Sequence, residues 1–203
     1  MALSIAVLLS SACAAPAQRG KPPKPLPAPA LLLGQLAGQA VPVLPITFLL
    51  SDSVTPPALP SDHPARLAWA DSIVGATLQM RGPEVSWVLP AELRRTAKRA
   101  PGLMTDPDRM GQAMLRDDGF KKVPDPLRSY LRALTAMNDS RHIFVPASVR
   151  FVPVPDGARV EVTVVLVDSR NGEILWRSHP VGNGPTAAAA LTEAIAHILP
   201  DNH

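Results

Sequence analysis

Residues 158–178 read Ala158-Arg-Val-Glu-Val-Thr-Val-Val-Leu-Val-Asp168-Ser-Arg-Asn-Gly172-Glu-Ile-Leu-Trp-Arg-Ser178. Val160, Val162, Val164 and Leu166 fall on every second position, the period of a strand with one face in a core. Asn171-Gly172 tolerates positive φ at both positions and predicts a two-residue type I′ turn. Residues 173–181 then return as the partner strand, so the stretch is an antiparallel hairpin.

Outward from the hairpin, the pattern alternates between strand and helix. Downstream, Asn183-Gly184-Pro185 opens a last helix with Ala188, Leu191, Ile195 and Ile198 toward the sheet. Gly182-Asn183-Gly184 lacks the Lys and Ser/Thr of a phosphate-binding loop and reads as a strand-to-helix turn. Upstream, residues 142–152 form a strand interrupted by Pro146. Residues 101–141 read as a helical insertion, with Asp106-Pro107 and Asp125-Pro126 as N-cap and N1 pairs. In the second of these helices Leu127, Tyr130, Leu131, Leu134 and Met137 keep helical spacing.

Further upstream, residues 41–50 read as a first strand, at an edge or only partly paired because Pro42 and Pro45 cannot donate to a ladder. Ser61 or Asp62 caps a helix to about residue 81, with Trp69, Ile73, Ala76 and Met80 as its apolar stripe and Leu67, Val74 and Leu78 beside it. Gly82-Pro83 ends it, residues 84–89 form a second strand, and Pro90 starts a helix through about residue 100. The expected fold is α/β (α+β): a single mixed sheet with helices packed on it, in the order β-α-β-α-(αα)-β-β-β-α. It closes on the C-terminal antiparallel hairpin.

The chain has 203 residues, of which 46% are hydrophobic, enough for one domain with a core. Its formal net charge of +3 is too small to imply nucleic acid. Six of the 24 prolines lie between Pro16 and Pro29, an extended composition. Residues 2–9 are an apolar run followed by Ser10-Ser11-Ala12-Cys13, and Cys13 is the single cysteine. This pattern reads as an export signal whose cysteine becomes a lipid anchor. Two competing readings stay open: ordinary cleavage after Ala14 or Ala17, and a cytoplasmic protein with a hydrophobic start. The amino-terminal region lacks Lys and Arg, and Leu9 stands four places before Cys13, where a lipoprotein signal prefers three. The organisation expected is a signal over 1–14, a Pro-rich tether over 15–40 and one α/β domain over 41–200. Polyproline II advances about 3.1 Å per residue, so the roughly 17 residues from Cys13 to about residue 30 reach on the order of 50 Å.

Two stretches resemble one group of bacterial envelope proteins. Val41-Pro-Val-Leu-Pro-Ile46 is similar to the "V-x-V-L-P-F" first strand of TolB amino-terminal-like domains, and residues 166–176 resemble the "L-x-D-x-x-T-G-x-x-x-W" hairpin of that group. The group includes the curli secretion lipoprotein and the outer-membrane lipoprotein activators of penicillin-binding proteins. The resemblance implies a periplasmic, often lipid-anchored domain that binds protein partners and is not an enzyme.

Few residues suggest chemistry. His63, His142, His179, His197 and His203 form no metal-ligand spacing. Asp168 is expected to bond to the turn backbone. Trp69, Trp87 and Trp176 read as core or sheet-face residues. Arg94, Arg95, Lys98 and Arg99 lie on one helical side, as a solvated face or as a patch for an anionic lipid or an acidic partner. No catalytic residue, metal or cofactor is assigned. The function expected is a non-enzymatic envelope lipoprotein that docks or assembles envelope proteins, held at the outer membrane by lipid at Cys13, with homo-oligomerisation left open. The alternative is a periplasmic hydrolase, which requires His142 or His179 beside a Ser and an Asp in a pocket.

Overall fold

The computed structural model describes residues 30–31, 33–51, 59–155 and 157–199. Cys13, the expected signal and the proline run of the expected tether lie outside them. Helices pack on a mixed sheet, as the alternation of periods predicts, and they do so on both of its faces; the sequence pattern does not assign them to faces.

The five-stranded sheet runs β2 (Leu49–Ser51), β4 (His142–Val154), β5 (Gly157–Asp168), β6 (Glu173–Ser178), with β7 (Val181–Gly184) also on β5. β2 pairs with β4 in parallel, and β4 with β5 antiparallel. β6 and β7 lie end to end along the far side of β5. β1 (Ala40–Pro42) pairs in parallel with β3 (Ser86–Val88), and Val43 bridges this ribbon to Phe144. The first strand expected over 41–50 is therefore broken into β1 and β2. At the break, the buried Gln112 amide donates to the Pro45 carbonyl at 3.0 Å.

One apolar layer joins the sheet to α1 (Leu33–Leu36), α2 (His63–Arg81) and α5 (Ala187–Ala196). Phe144, Val149, Phe151, Val160, Val162 and Val164 supply the strand side. The second layer joins Ile143, Val145, Ala147, Val165 and Val167 to α3 (Pro90–Arg99), to 3-10 turns and to α4 (Leu127–Met137). The helical segment read as an insertion therefore builds much of the second layer. The change of phase inside β4 comes from a bulge between Pro146 and Ser148. Proline there has no N–H for the ladder, and beyond the bulge Val149 and Phe151 return to the first face.

Three local expectations are corrected. On α2 the buried line is Ala70, Asp71, Val74, Thr77 and Leu78, while Met80 is 73% exposed. The helix is turned about one residue from the expected stripe because Asp71 points inward, where it accepts the Ile46 N–H at 2.8 Å. The β5–β6 connection is a four-residue loop, with positive φ at Gly172 alone. Asp168 organises it, accepting Arg170 N–H at 2.9 Å through its side chain and Gly172 N–H at 2.9 Å through its carbonyl. At α4 the cap is Pro126, because the Asp125 carboxylate is taken by Arg128 and Ser129.

Residues 31 and 33–40, placed in the tether by composition, belong to the fold. Leu31, Leu33 and Leu36 are each at most 3% exposed in the first layer, and Leu31 N–H donates to the Ile198 carbonyl at 2.7 Å. The α2 cap falls as expected at Asp62, which accepts Ala65 N–H; α5 instead begins behind Thr186, which accepts Ala189 N–H, because Gly182-Asn183-Gly184, read as a strand-to-helix turn, pairs with β5 as part of β7. Gly182 and Gly184 let β7 lie directly against α5. A Cβ on Gly182 would stand 2.0 Å from the Ala190 carbonyl oxygen.

Candidate interaction surface

α3 begins at Pro90, whose missing N–H costs nothing in a first turn. Leu93 is fully buried, and Ala97 packs against the second layer. The remaining side of α3 carries the four cations singled out from the sequence, and the structure divides them.

Arg94 is committed to two carboxylates. Its Nη2 lies 2.8 Å from Asp71 Oδ2 on α2 and 2.8 Å from Asp108 Oδ1, while its Nε donates to Asp108 Oδ2 at 2.8 Å. Burial pushes the Asp71 carboxyl up to about 6, against the opposing pull of the Ile46 N–H and of Arg94. The hydrogen bonds to Asp108, then those to Asp71, raise Arg94 above its ordinary value. Arg94 thus fastens α3 to α2 and to the turn Pro107–Arg109.

Arg95, Lys98 and Arg99 are exposed and pair with no carboxylate among the described residues. At spacings of three and four they are neighbours on the helix surface. A cleft of about 290 Å³ opens beside them, lined by Arg94, Ala97, Lys98, Met104, Asp106 and Asp108. Its walls carry both signs of charge, so the net positive field lies on the outer face of α3 and not inside the cleft.

The histidines separate into different settings. His142 Nδ1 lies 2.9 Å from Gln39 Oε1, and burial, with Arg141 opposing the pull of Asp168, holds it below its ordinary value. His197 Nδ1 lies 2.9 Å from the Val181 carbonyl. His63 opens α2 on the surface. His179 stands between Thr163, whose Oγ1 is 3.3 Å from Nδ1, and Asp118, whose Oδ1 is 3.0 Å from Nε2. This hydroxyl–imidazole–carboxylate chain borders an open hollow of about 260 Å³ on the part of the sheet that α3 and α4 leave uncovered. Phe48 is on the same wall, with the Arg116 guanidinium 4.4 Å over its ring. Sequence reading did not find this grouping, because its members come from separate turns and strands. Arg177 also escaped it: the side chain donates to the carbonyls of Leu115, Asp117 and Phe120 and holds that turn to β6.

Among the described residues, no cluster of three or more His, Cys, Asp or Glu is placed to hold a metal ion. No helix among them is long and apolar enough to cross a membrane.

No protein-family model matches the chain, and no curated protein sequence matches it. Solved structures do. The PelC dodecamer from Paraburkholderia phytofirmans is similar over 84% of this chain and 90% of its own, at 18% identity and a TM-score of 0.42. The LpoB C-terminal domain from Salmonella enterica covers 73% of this chain and 84% of its own, at 13% identity and a TM-score of 0.40. A lipoprotein from Neisseria meningitidis covers 72% of this chain and 81% of its own, at 15% identity and a TM-score of 0.37.

Proposed function

We propose that this chain is a non-enzymatic cell-envelope protein that docks or assembles other envelope proteins. Lipid on Cys13 anchors it at the outer membrane, the proline-rich segment carries the domain clear of the bilayer, and the outer face of α3 receives an acidic partner surface. The observation that carries this reading is the state of α3: Arg95, Lys98 and Arg99 stand exposed, without a carboxylate partner among the described residues, on a helix that Arg94 fixes to two other elements. Charges held on a rigid element steer and orient a partner without an ordering cost. The export-type start and the resemblance of residues 41–46 and 166–176 to TolB amino-terminal-like domains support the envelope setting.

The test is in-cell photocrosslinking from position 91, an exposed alanine one turn before Arg95 on α3, in the full chain, compared with the same probe in the triple variant Arg95→Glu, Lys98→Glu, Arg99→Glu. The expected result is one envelope protein trapped by the wild type and lost from the variant at unchanged thermal stability. Trapping of the same protein by the variant would refute the α3 surface. Labelling with a palmitate analogue checks the anchor: Cys13→Ser should abolish it.

A second reading, a periplasmic hydrolase, is favoured by one observation, the chain Thr163–His179–Asp118. Thr163 would be the nucleophile and His179 the base. Ester and amide substrates should then be turned over by the wild type and not by Thr163→Val; equal rates for the two proteins would dismiss it.

A further inference from the structure

At the pole of the sheet opposite the β5–β7 end, the last turn of α4, the α4–β4 turn and the β5–β6 loop meet. Hydrogen bonds fasten them together. Thr135 Oγ1 donates to Ser169 Oγ at 2.9 Å, and Ser169 Oγ donates to the Arg141 carbonyl at 2.9 Å. Arg141 donates from Nε and Nη2 to Asp168 Oδ2 at 2.9 and 2.6 Å. Two adjoining hollows open on this frame. One, of about 410 Å³, is lined by Arg132, Thr135, Ala136, Ser140, Ser169 and Arg170. The other, of about 280 Å³, shares Ser140 and Arg170 with it and adds Arg141 and Asp139.

The donors here outnumber their acceptors. Arg132 and Arg170 are exposed, and neither guanidinium has a carboxylate partner among the described residues. Ser140 Oγ is buried with no hydrogen-bond partner among them. A buried hydroxyl left unsatisfied is costly, and an acceptor that reaches it relieves that cost. The nearby negative groups are largely spent. Asp168 is 1% exposed and held by Arg141 and the Arg170 N–H. The Thr135 carbonyl, at the negative end of α4, already receives the N–H groups of Asn138 and Ser140. Asp139, at φ 46°, is the one exposed carboxylate on the lining of the two hollows among the described residues, and it stands in the second.

We infer that this paired hollow is a binding site for a phosphate group, gripped between Arg132 and Arg170, toward which the Ser140 hydroxyl, buried in this structure, turns by a χ1 rotation to donate. Two planar guanidinium forks and a hydroxyl match a tetrahedral oxyanion of charge near −2. A carboxylate would satisfy one fork and leave the other. The hollow exceeds a bare phosphate in volume, which leaves space for an ester substituent, so a free phosphate ester and a phospholipid headgroup both present the required chemistry.

The test is titration of the full chain with inorganic phosphate, followed by amide NMR shifts. Saturable shifts are expected at Ser140, Ser169 and Arg170. Arg132→Ala and Arg170→Ala should each weaken binding roughly tenfold, as for a lost charge-assisted contact. Asp139→Asn should tighten it, by removal of a like charge at the rim. Because Arg132 and Arg170 are exposed, their variants should keep the wild-type thermal midpoint. Flotation with phosphatidylglycerol against phosphatidylcholine vesicles separates the sources. Recruitment to the former that needs Arg170 indicates a headgroup; phosphate binding without recruitment indicates a soluble ester. Absence of saturable shifts, or wild-type affinity in Arg132→Ala and Arg170→Ala, would overturn the site.

Discussion

Asp71 and Arg94, 23 residues apart in the chain, meet at 2.8 Å, and this contact ties the buried face of α2 to the exposed face of α3. Asp71 is buried, and its other oxygen holds the Ile46 N–H beside the strand break. Arg94→Ala would leave that carboxylate without its counter-charge. The expected loss is about 3 kcal/mol in denaturant unfolding. Combining it with Asp71→Asn should recover most of the loss, because the buried charge is then gone. A double variant no more stable than Arg94→Ala would contradict the pairing.

The same carboxyl gives a pH signature. Its folded value, raised to about 6, lies above its ordinary value of 3.8. Between these values the folded chain holds a proton that the unfolded chain has released. The contribution of Asp71 to stability is therefore full below about pH 4 and is lost as pH rises through 6. Relative to Asp71→Asn, the wild type should lose on the order of 2–3 kcal/mol between pH 4 and pH 7. Parallel stability–pH curves for the two proteins would refute the shift.

β7 tolerates no side chain at Gly182, where a Cβ would meet Ala190 O at 2.0 Å and Ala194 N at 2.5 Å. Both are helix backbone, so relief requires α5 to move off the sheet. Gly182→Ala should destabilise the fold by about 3 kcal/mol or more, read as a large drop in the thermal midpoint. Gly34→Ala, where an added Cβ would find nothing within 4 Å, is the control expected to be near neutral.

Arg177 binds three carbonyls and Asp118 with a side chain only 14% exposed. Arg177→Ala should release the turn at residues 115–120 while leaving the β5 ladder intact. Hydrogen exchange should quicken in that turn alone; faster exchange throughout β5 would show a wider role.

Local chemistry was legible wherever the deciding partners lie within a few residues. Asp62 caps α2, Pro90 opens α3, and Asp168 accepts the Arg170 N–H, each as residue type and position dictate. The alternation of Val160, Val162, Val164 and Leu166 gave the correct inner face of β5. What failed depended on distant partners. The rotation of α2 is set by Asp71, whose acceptor role toward Ile46 and Arg94 spans 25 and 23 residues. The division of the α3 cations follows from Asp71 and Asp108, neither of which lies on α3. The grouping of Arg132, Ser140 and Arg170 exists because the β5–β6 loop folds back beside α4 and the turn into β4. Composition placed Leu31, Leu33 and Leu36 in the tether because a proline-rich segment and a leucine-rich segment adjoin without a break, and burial alone distinguishes them.

The hydrogen bond from Leu31 N–H to the Ile198 carbonyl brings the first and last parts of the described fold side by side. Any pull along the amino-terminal arm is delivered at that seam. There it must extract Leu31, Leu33 and Leu36 from beneath the sheet before it reaches a strand. The three leucines would act as a mechanical stop, taking the load of the proposed tether at the base of the domain.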